Sequence, residues 1–262
     1  MRYAANKRYV AERDANQVTA NKESAENVKE NDMGNVEVNC GLVNAQSLFH
    51  KRDELKEKIE KSNFDFVTVT ETWKIERETD LKEACPEGFK FKYQPRKDER
   101  QGGGIALFYR DSIKSSPRSR KHYETFECLE TSLDVGAGRD IRLINIYRPP
   151  ESNKIEFLEE FESLLSKRSK EKLFITGDLN LHVENPKSSR VKEFLKLIKS
   201  HGLVQHVKKP THEDGGTLDL IITTPDLLVK NVEVGDYFSD HKFVQCRIQT
   251  EKKKEDIIKK EE

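Results

Sequence analysis

Apolar residues are spread unevenly along the chain. Between Met1 and about Asn35, Val10, Val18 and Val28 are too sparse to form a helical stripe. Residues 1–35 therefore read as a disordered or marginally helical leader. From Val36 the pattern changes. VEVNCGLVN alternates and ends at Asn44, and Leu48, Leu55 and Ile59 are spaced for one helical face. FDFVTVT (64–70) is aromatic and β-branched, as a buried strand would be, and it delivers Glu71. Strands are predicted again over Phe89–Tyr93, Ile105–Tyr109, Phe126–Val135 and Ile141–Tyr147. Asn153 is placed to cap a helix carrying Phe157, Leu158, Phe161, Leu164 and Leu165. A short strand then runs into Gly177-Asp178, and an amphipathic helix covers Val191–Ile198. Thr217–Ile222, Val229–Val234 and Phe243–Ile248 complete the strands.

Many strands with three or four helices between them predict an α+β fold. No repeat and no Gly/Ser/Pro-rich linker divides the stretch, so residues 36–250 read as one domain. Residues 251–262 read as a charged tail. Gly102-Gly103-Gly104 precedes a strand rather than a helix, which favours a turn or a close backbone approach over a phosphate cradle. Ser115–Lys121 (SSPRSRK) reads as a basic surface loop.

Composition narrows the function. There are 47 basic and 47 acidic residues, a formal net charge of zero, so the strongly basic signature of a sequence-independent nucleic-acid binder is absent. A local basic rim remains compatible with that balance. Four cysteines, Cys40, Cys85, Cys128 and Cys246, form no CxxC and no Cys/His zinc spacing. No signal peptide or membrane-length apolar run is visible, which favours an intracellular, reducing compartment.

Polar residues recur where the apolar runs stop. Asn44, Glu71, Tyr147, Asp178 with Asn180, Asp219, and Asp240 with His241 each end or border a strand. Any one of them has an ordinary explanation as the start of a loop. Six such strand ends in one chain point to polar groups that converge on a common site. Asp178 and Asn180 are two apart on an extended chain, so their side chains share one side.

In order, the chain carries Asn44-Ala45-Gln46-Ser47-Leu48, Thr70-Glu71-Thr72-Trp73, Gly102-Gly103-Gly104-Ile105-Ala106 and Tyr147-Arg148-Pro149-Pro150. Gly177-Asp178-Leu179-Asn180-Leu181-His182, Thr217-Leu218-Asp219-Leu220 and Ser239-Asp240-His241 follow. This ordered set resembles the endonuclease/exonuclease/phosphatase superfamily, and within it the endonuclease domain of LINE-type (non-LTR) retrotransposons. One departure is Gln46, where arginine is expected. Elements of that kind also continue into a reverse transcriptase, a module absent from these 262 residues.

The resemblance implies a four-layer α/β/β/α sandwich of the DNase I type. It implies a Mg²⁺-dependent endonuclease, with Mn²⁺ as a possible substitute, that nicks double-stranded DNA and leaves a 3′-hydroxyl. Glu71 is the implied first metal ligand, with Asn44 and Asp240 beside it. Asp178 would orient or deprotonate the attacking water, and Asn180 would place that water or a phosphate oxygen. Asp219 would accept a hydrogen bond from His241, which would act on the scissile phosphate or assist the base. Tyr147 would contact a phosphate oxygen or the leaving group. Arg148, Thr217, Trp73, His182 and Ser239 are implied substrate-binding positions. The expected state is a monomer with no membrane partner, nuclear where genomic DNA is the target. The same motifs leave open a relative acting on RNA or a lipid phosphate, or a catalytically silent binding module.

Overall fold

The computed structural model of the chain describes residues 35–73, 78–96, 102–117, 122–136, 139–168 and 171–251. The predicted leader and tail, and 118–121 of the predicted basic loop, lie outside these residues. Twelve strands form among them: β1 (Asn35–Asn44), β2 (Phe66–Thr70), β3 (Phe89–Gln94), β4 (Ile105–Arg110), β5 (Lys114–Pro117) and β6 (Glu127–Asp134). The second half supplies β7 (Asp140–Tyr147), β8 (Leu173–Asp178), β9 (Val204–Gln205), β10 (Asp219–Thr223), β11 (Leu227–Tyr237) and β12 (Lys242–Glu251). Four α-helices lie between them: α1 (Arg52–Lys61), α2 (Glu78–Ala84), α3 (Lys154–Ser166) and α4 (Ser189–Ser200).

The strands make two six-stranded sheets, ordered β11-β12-β1-β2-β4-β3 and β5-β6-β7-β8-β10-β9. Each contains a parallel pair, β1 with β2 and β7 with β8, among antiparallel neighbours. The inner faces share one core. Cys40, Leu42, Phe66, Leu107 and Val244 of the first sheet meet Leu133, Leu143, Phe174 and Ile221 of the second. Phe66 and Phe174 meet edge to face at 5.4 Å, a favourable aromatic geometry.

The outer faces are covered by helices. Leu55 and Ile59 of α1 and Leu81 and Ala84 of α2 pack on Val67, Val69 and Phe108. Phe157, Phe161, Leu164 and Leu165 of α3, with Phe194 and Ile198 of α4, pack on Ile144, Ile146, Ile175 and Leu220. The predicted four-layer α/β/β/α sandwich is therefore the observed fold. The predicted cap of α3 also forms: Asn153 Oδ1 accepts from the Ile155 and Glu156 backbone N–H groups.

Three local expectations change. The helix expected from Leu48 begins instead with a 3₁₀ turn, Phe49–Lys51, and α1 follows. The cause is the Leu48 N–H, which donates to Thr72 O at 3.1 Å and holds the chain against the β2 loop before it can coil. Residues 115–117, the described part of the predicted Ser115–Lys121 loop, belong to edge strand β5, paired with β6, and Thr131 Oγ1 donates to Ser116 O. Helix α2, which the periodicity did not indicate, lies over β4 through Leu81 and Ala84.

Candidate active site

Register brings the candidate residues together before any side chain is considered. Tyr147 is the Cα partner of Asp178 on β8, and Asp178 is the partner of Asp219 on β10. Three chemistry-bearing residues thus stand in one row across three strands. In the other sheet Asn44 pairs with Thr70 at the ends of β1 and β2, and Glu71 follows. His241 immediately precedes β12, two places from β2 in the same sheet. The two rows face each other at one end of the sandwich.

Asn44 is the bridge between them. Its buried Nδ2 donates to Asp178 Oδ2 at 2.9 Å and to Glu71 Oε1 at 3.1 Å, and lies 3.4 Å from His241 Nε2. Its Oδ1 accepts from the Gln46 N–H at 3.0 Å. A flipped amide would set an oxygen against two carboxylates, so the network itself fixes this orientation. Asn44 thus presents hydrogens, not a ligand oxygen, to the centre. As placed, it organises acids, and its oxygen is turned to the Gln46 N–H.

His241 Nδ1 lies 2.7 Å from Asp219 Oδ2, the pair expected from the sequence, and its Nε2 lies 4.0 Å from Asp178 Oδ2. Burial alone would lower the histidine, but the Asp219 charge and hydrogen bond, then Asp178 and Asp240, lift it to about 9. Asp178 is pushed up to about 7 by burial and then by the Asp219 charge, against the opposing pull of His241. Near neutral pH the centre therefore pairs an imidazolium with a carboxyl close to its own midpoint. Burial, followed by the charge of nearby Glu71, raises the Tyr147 hydroxyl far above the ordinary phenol range. It is a proton donor at any physiological pH.

Backbone geometry at the strand ends is unusual. Glu71 and Trp73 have φ of 49° and 59°, and Asn180 and His182 both have 49°. The left-handed residues around Glu71 are held by the glycine run: the Thr72 and Trp73 N–H groups donate to Gly104 O and Gly103 O at 3.1 and 2.8 Å. A Cβ on Gly104 would sit 2.4 Å from Thr72 Oγ1, so the expected close backbone approach is what the three glycines provide. Trp73 Nε1 donates to Glu71 Oε2 at 3.1 Å, so its indole orients that acid.

Other expected site residues are placed differently. Arg148 is wholly buried, and its guanidinium donates to Leu179 O and Asn180 O at 2.7 Å each, to Pro149 O and Ser152 O at 3.1 Å, and to Ser152 Oγ at 2.8 Å. It points into the protein, which corrects the expectation of a flanking-phosphate contact. Thr217 is buried too, its N–H donating to Glu184 Oε2 at 2.7 Å and its Oγ1 to Lys209 O at 3.3 Å. Ser239 Oγ donates to Asn44 O at 2.7 Å and accepts from the His241 N–H at 3.0 Å, tying the β11–β12 turn to β1. His182 is exposed beside Glu184, with Nδ1 3.1 Å from Oε1. Asn180 spends its amide hydrogens on Arg148 O and Asp178 Oδ2, at 2.9 and 3.1 Å, leaving its carbonyl oxygen as the end that can meet water.

His212 is a site residue that sequence reasoning missed. It forms a backbone bridge with His241, and the two rings meet edge to face at 4.7 Å. Its Nδ1 accepts from the Asp214 N–H at 3.1 Å, so Nε2 carries the proton, 3.6 Å from Asp240 Oδ2. No apolar run ends at His212; the only available signal was its place in a polar turn just before Gly215-Gly216.

Among the described residues, ligand atoms of Asp178, Asp219 and His241 lie within 4.8 Å of one another, as do those of His212, Asp240 and His241. Asp219 Oδ1 and Asp240 Oδ1 are buried without a hydrogen-bond partner. Crowded carboxylates with orphaned oxygens form a donor set that fits a hard cation. Glu71 and Asp240 stand on either side of this cluster, the first near Asn44 and the second held by Gln46 Nε2 at 2.9 Å.

Residues 141–245 match the family described as endonuclease-reverse transcriptase. The endonuclease domain of TRAS1, a telomere-specific non-LTR retrotransposon, superposes with a TM-score of 0.66 at 15% identity, over 81% of this chain and 98% of that one. The chain has the endonuclease/exonuclease/phosphatase fold. The AP endonuclease LMAP from Leishmania major shares that fold at TM-score 0.61 and 11% identity, with 83% of this chain and 88% of that one covered. So does D. rerio TDP2 complexed with single-strand DNA product, at 0.60 and 14%, covering 81% and 98%. No curated protein sequence matches the chain. The endonuclease/exonuclease/phosphatase fold is one of nuclease and phosphatase enzymes, and no helix among the described residues is long and apolar enough to cross a membrane.

Proposed function

We propose that the chain is a divalent-metal-dependent phosphodiesterase that nicks one strand of double-stranded DNA and leaves a 3′-hydroxyl. The observation that carries this is one cluster in which Asn44 Nδ2 bonds Glu71 and Asp178 across two sheets, with His241 bonded to Asp219 and 4.0 Å from Asp178, and Tyr147 beside Asp178 in the strand register. The likeness to the TRAS1 endonuclease domain supports DNA as the substrate class.

Glu71 and Asp240 would hold Mg²⁺, or Mn²⁺ in its place, with the unpartnered oxygen of Asp219 close by. When bound, such an ion withdraws charge from the phosphate and makes a water easier to deprotonate. The protein groups divide the remaining work. Asp178, near its own midpoint, takes the proton of the attacking water. Asn180 holds Asp178 in place and offers its carbonyl oxygen to that water. Imidazolium His241, fixed through Nδ1 by Asp219, donates Nε2–H to a non-bridging phosphate oxygen. Tyr147 donates its hydroxyl hydrogen toward the departing oxygen.

A supercoiled plasmid tests the reading. Purified chain with Mg²⁺ should convert it to open circles, and DNA polymerase should extend those nicks without phosphatase treatment. Asp178→Ala and His241→Ala should each slow nicking by roughly 10²–10⁴-fold. Equal relaxation by wild type and both variants would remove the assigned roles. Parallel incubations with single-stranded RNA and a phosphoinositide decide the substrate class, since turnover of lipid without plasmid nicking would overturn DNA.

A further inference from the structure

We infer that Arg148 is a positioning residue: buried beneath the centre, it clamps the Leu179–Asn180 carbonyls and so holds Asp178 and Asn180 in working orientation. The inference deepens the nuclease reading and rests on it for the activity readout alone.

Three features lead to it. First, Arg148 adjoins Tyr147, yet its side chain turns away from the site and is fully buried. A guanidinium taken out of water must find hydrogen-bond acceptors, and here each of its three nitrogens donates, in five hydrogen bonds altogether. Second, the acceptors come from two places: Leu179 and Asn180 just after β8, and Pro149 and Ser152 just before α3. The fork therefore ties the end of β8 to the start of α3, across the end of β7. Its carbon also lies 5.6 Å from the centre of the Phe157 ring of α3, a cation–π contact. Third, the clamp is reciprocal. The Arg148 N–H donates to Asp178 O at 2.9 Å, and Arg148 O accepts from Asn180 Nδ2. Asn180 in turn donates its own N–H to Asp178 Oδ1 at 3.0 Å and Nδ2 to Oδ2 at 3.1 Å.

The loop needs such a clamp. Asn180 is left-handed, a conformation a non-glycine residue holds only when its surroundings impose it. Two successive carbonyls converging on one cation supply that imposition. A planar fork serves two carbonyls on one side and Ser152 on the other. A lysine, with three hydrogens on one nitrogen, cannot span both. A phosphate-binding arginine would instead sit at the rim with donors facing solvent, and would contribute mainly to affinity.

Arg148→Lys and Ser152→Ala separate the two roles. With supercoiled plasmid and Mg²⁺, Arg148→Lys should lower kcat by about 10–100-fold, as a small misplacement of reacting groups does. KM and its dependence on salt should stay at the wild-type value. Ser152→Ala, which removes one acceptor and leaves no buried charge, should lower kcat a few-fold in the same manner. Hydrogen exchange read over residues 178–183 should show faster exchange in both variants. A raised KM with a shallower salt dependence and unchanged kcat would make Arg148 a phosphate contact and overturn the inference. Unchanged exchange over 178–183 in Ser152→Ala would overturn it as well, even if Arg148→Lys does not fold. A wild type that fails to nick plasmid, with the loop still loosened in the variants, would reject the nuclease reading and leave the clamp standing.

Discussion

Asp178 opposes folding when ionised, and protonated His241 favours it. His241 is held above its ordinary 6.5, at about 9, so its contribution to stability is complete below about pH 6.5 and is lost as pH rises through 9. Asp178 is held above its ordinary 3.8, at about 7, so ionising it in the folded state opposes folding increasingly between about pH 4 and 7. Both effects run the same way. In chelator, the wild-type Tm should fall by several degrees between pH 6.5 and 9. His241→Asn should begin lower, because it leaves Asp219 as an unpaired buried charge, and should vary less over that range. Calorimetry across the pH series checks this; a wild-type Tm that rises with pH contradicts it. Tyr147→Phe removes one hydroxyl and leaves the ring packed. It should slow plasmid nicking by about 10²-fold with little change in Tm. The chemical types of these residues, and their places at strand ends, were legible in the sequence. The direction each side chain faces was not. Arg148 and Thr217 look polar and accessible as letters, but both are buried. Asn44 reads as a ligand, yet its oxygen is taken by the Gln46 N–H.

The strands were easier to read than the connections between them. FVTVT and IRLINIY announce β2 and β7 because both faces of each are buried and no polar residue interrupts the run for long. KSSP gives no such signal, since β5 is an edge strand joined to β6 by backbone bonds, with few apolar contacts of its own. The close packing of β7 on β8 is equally silent in the sequence. Gly177 has φ of 131°, and a Cβ built there would lie 1.9 Å from Ile146 O. Backbone cannot yield as a flexible side chain would. Gly177→Ala should therefore destabilise the fold by about 3 kcal/mol or more, seen in urea titration, and should displace Asp178 with it. Gly104→Ala meets a side-chain oxygen and a strained φ of 80°, and should disturb Glu71 while leaving the second sheet intact.

The sandwich as a unit explains why the site exists at all. One sheet supplies Asn44 and Glu71 and leads into His241; the other supplies Tyr147, Asp178 and Asp219. The geometry of the candidate site is thus an inter-sheet distance, set by the core between them. Phe66→Ala deletes one ring of the edge-to-face pair that spans this core. It should cost about 3–5 kcal/mol by urea titration and weaken nicking even at temperatures where the variant remains folded. Activity that tracks the folded fraction alone would contradict the second expectation. The order of motifs along the sequence made the sandwich legible as a resemblance. Its net charge of zero says little about the candidate site, because charge summed over a chain does not report on one end of a sheet.

Strand β12 lies between β11 and β1, and its entry carries His241. The last strand of the fold is thus an interior strand of its sheet, not an edge. During synthesis, every other component of the centre leaves the ribosome before the histidine does. A nascent chain ending before Lys242 lacks the strand that flanks β1. On the proposed nuclease reading, competence arrives with β12, and a nascent chain stalled before that strand should be unable to cut nucleic acid while tethered to its own message. Ribosome-bound chains stalled at successive lengths, assayed on plasmid, should show nicking only after β12 has cleared the exit tunnel.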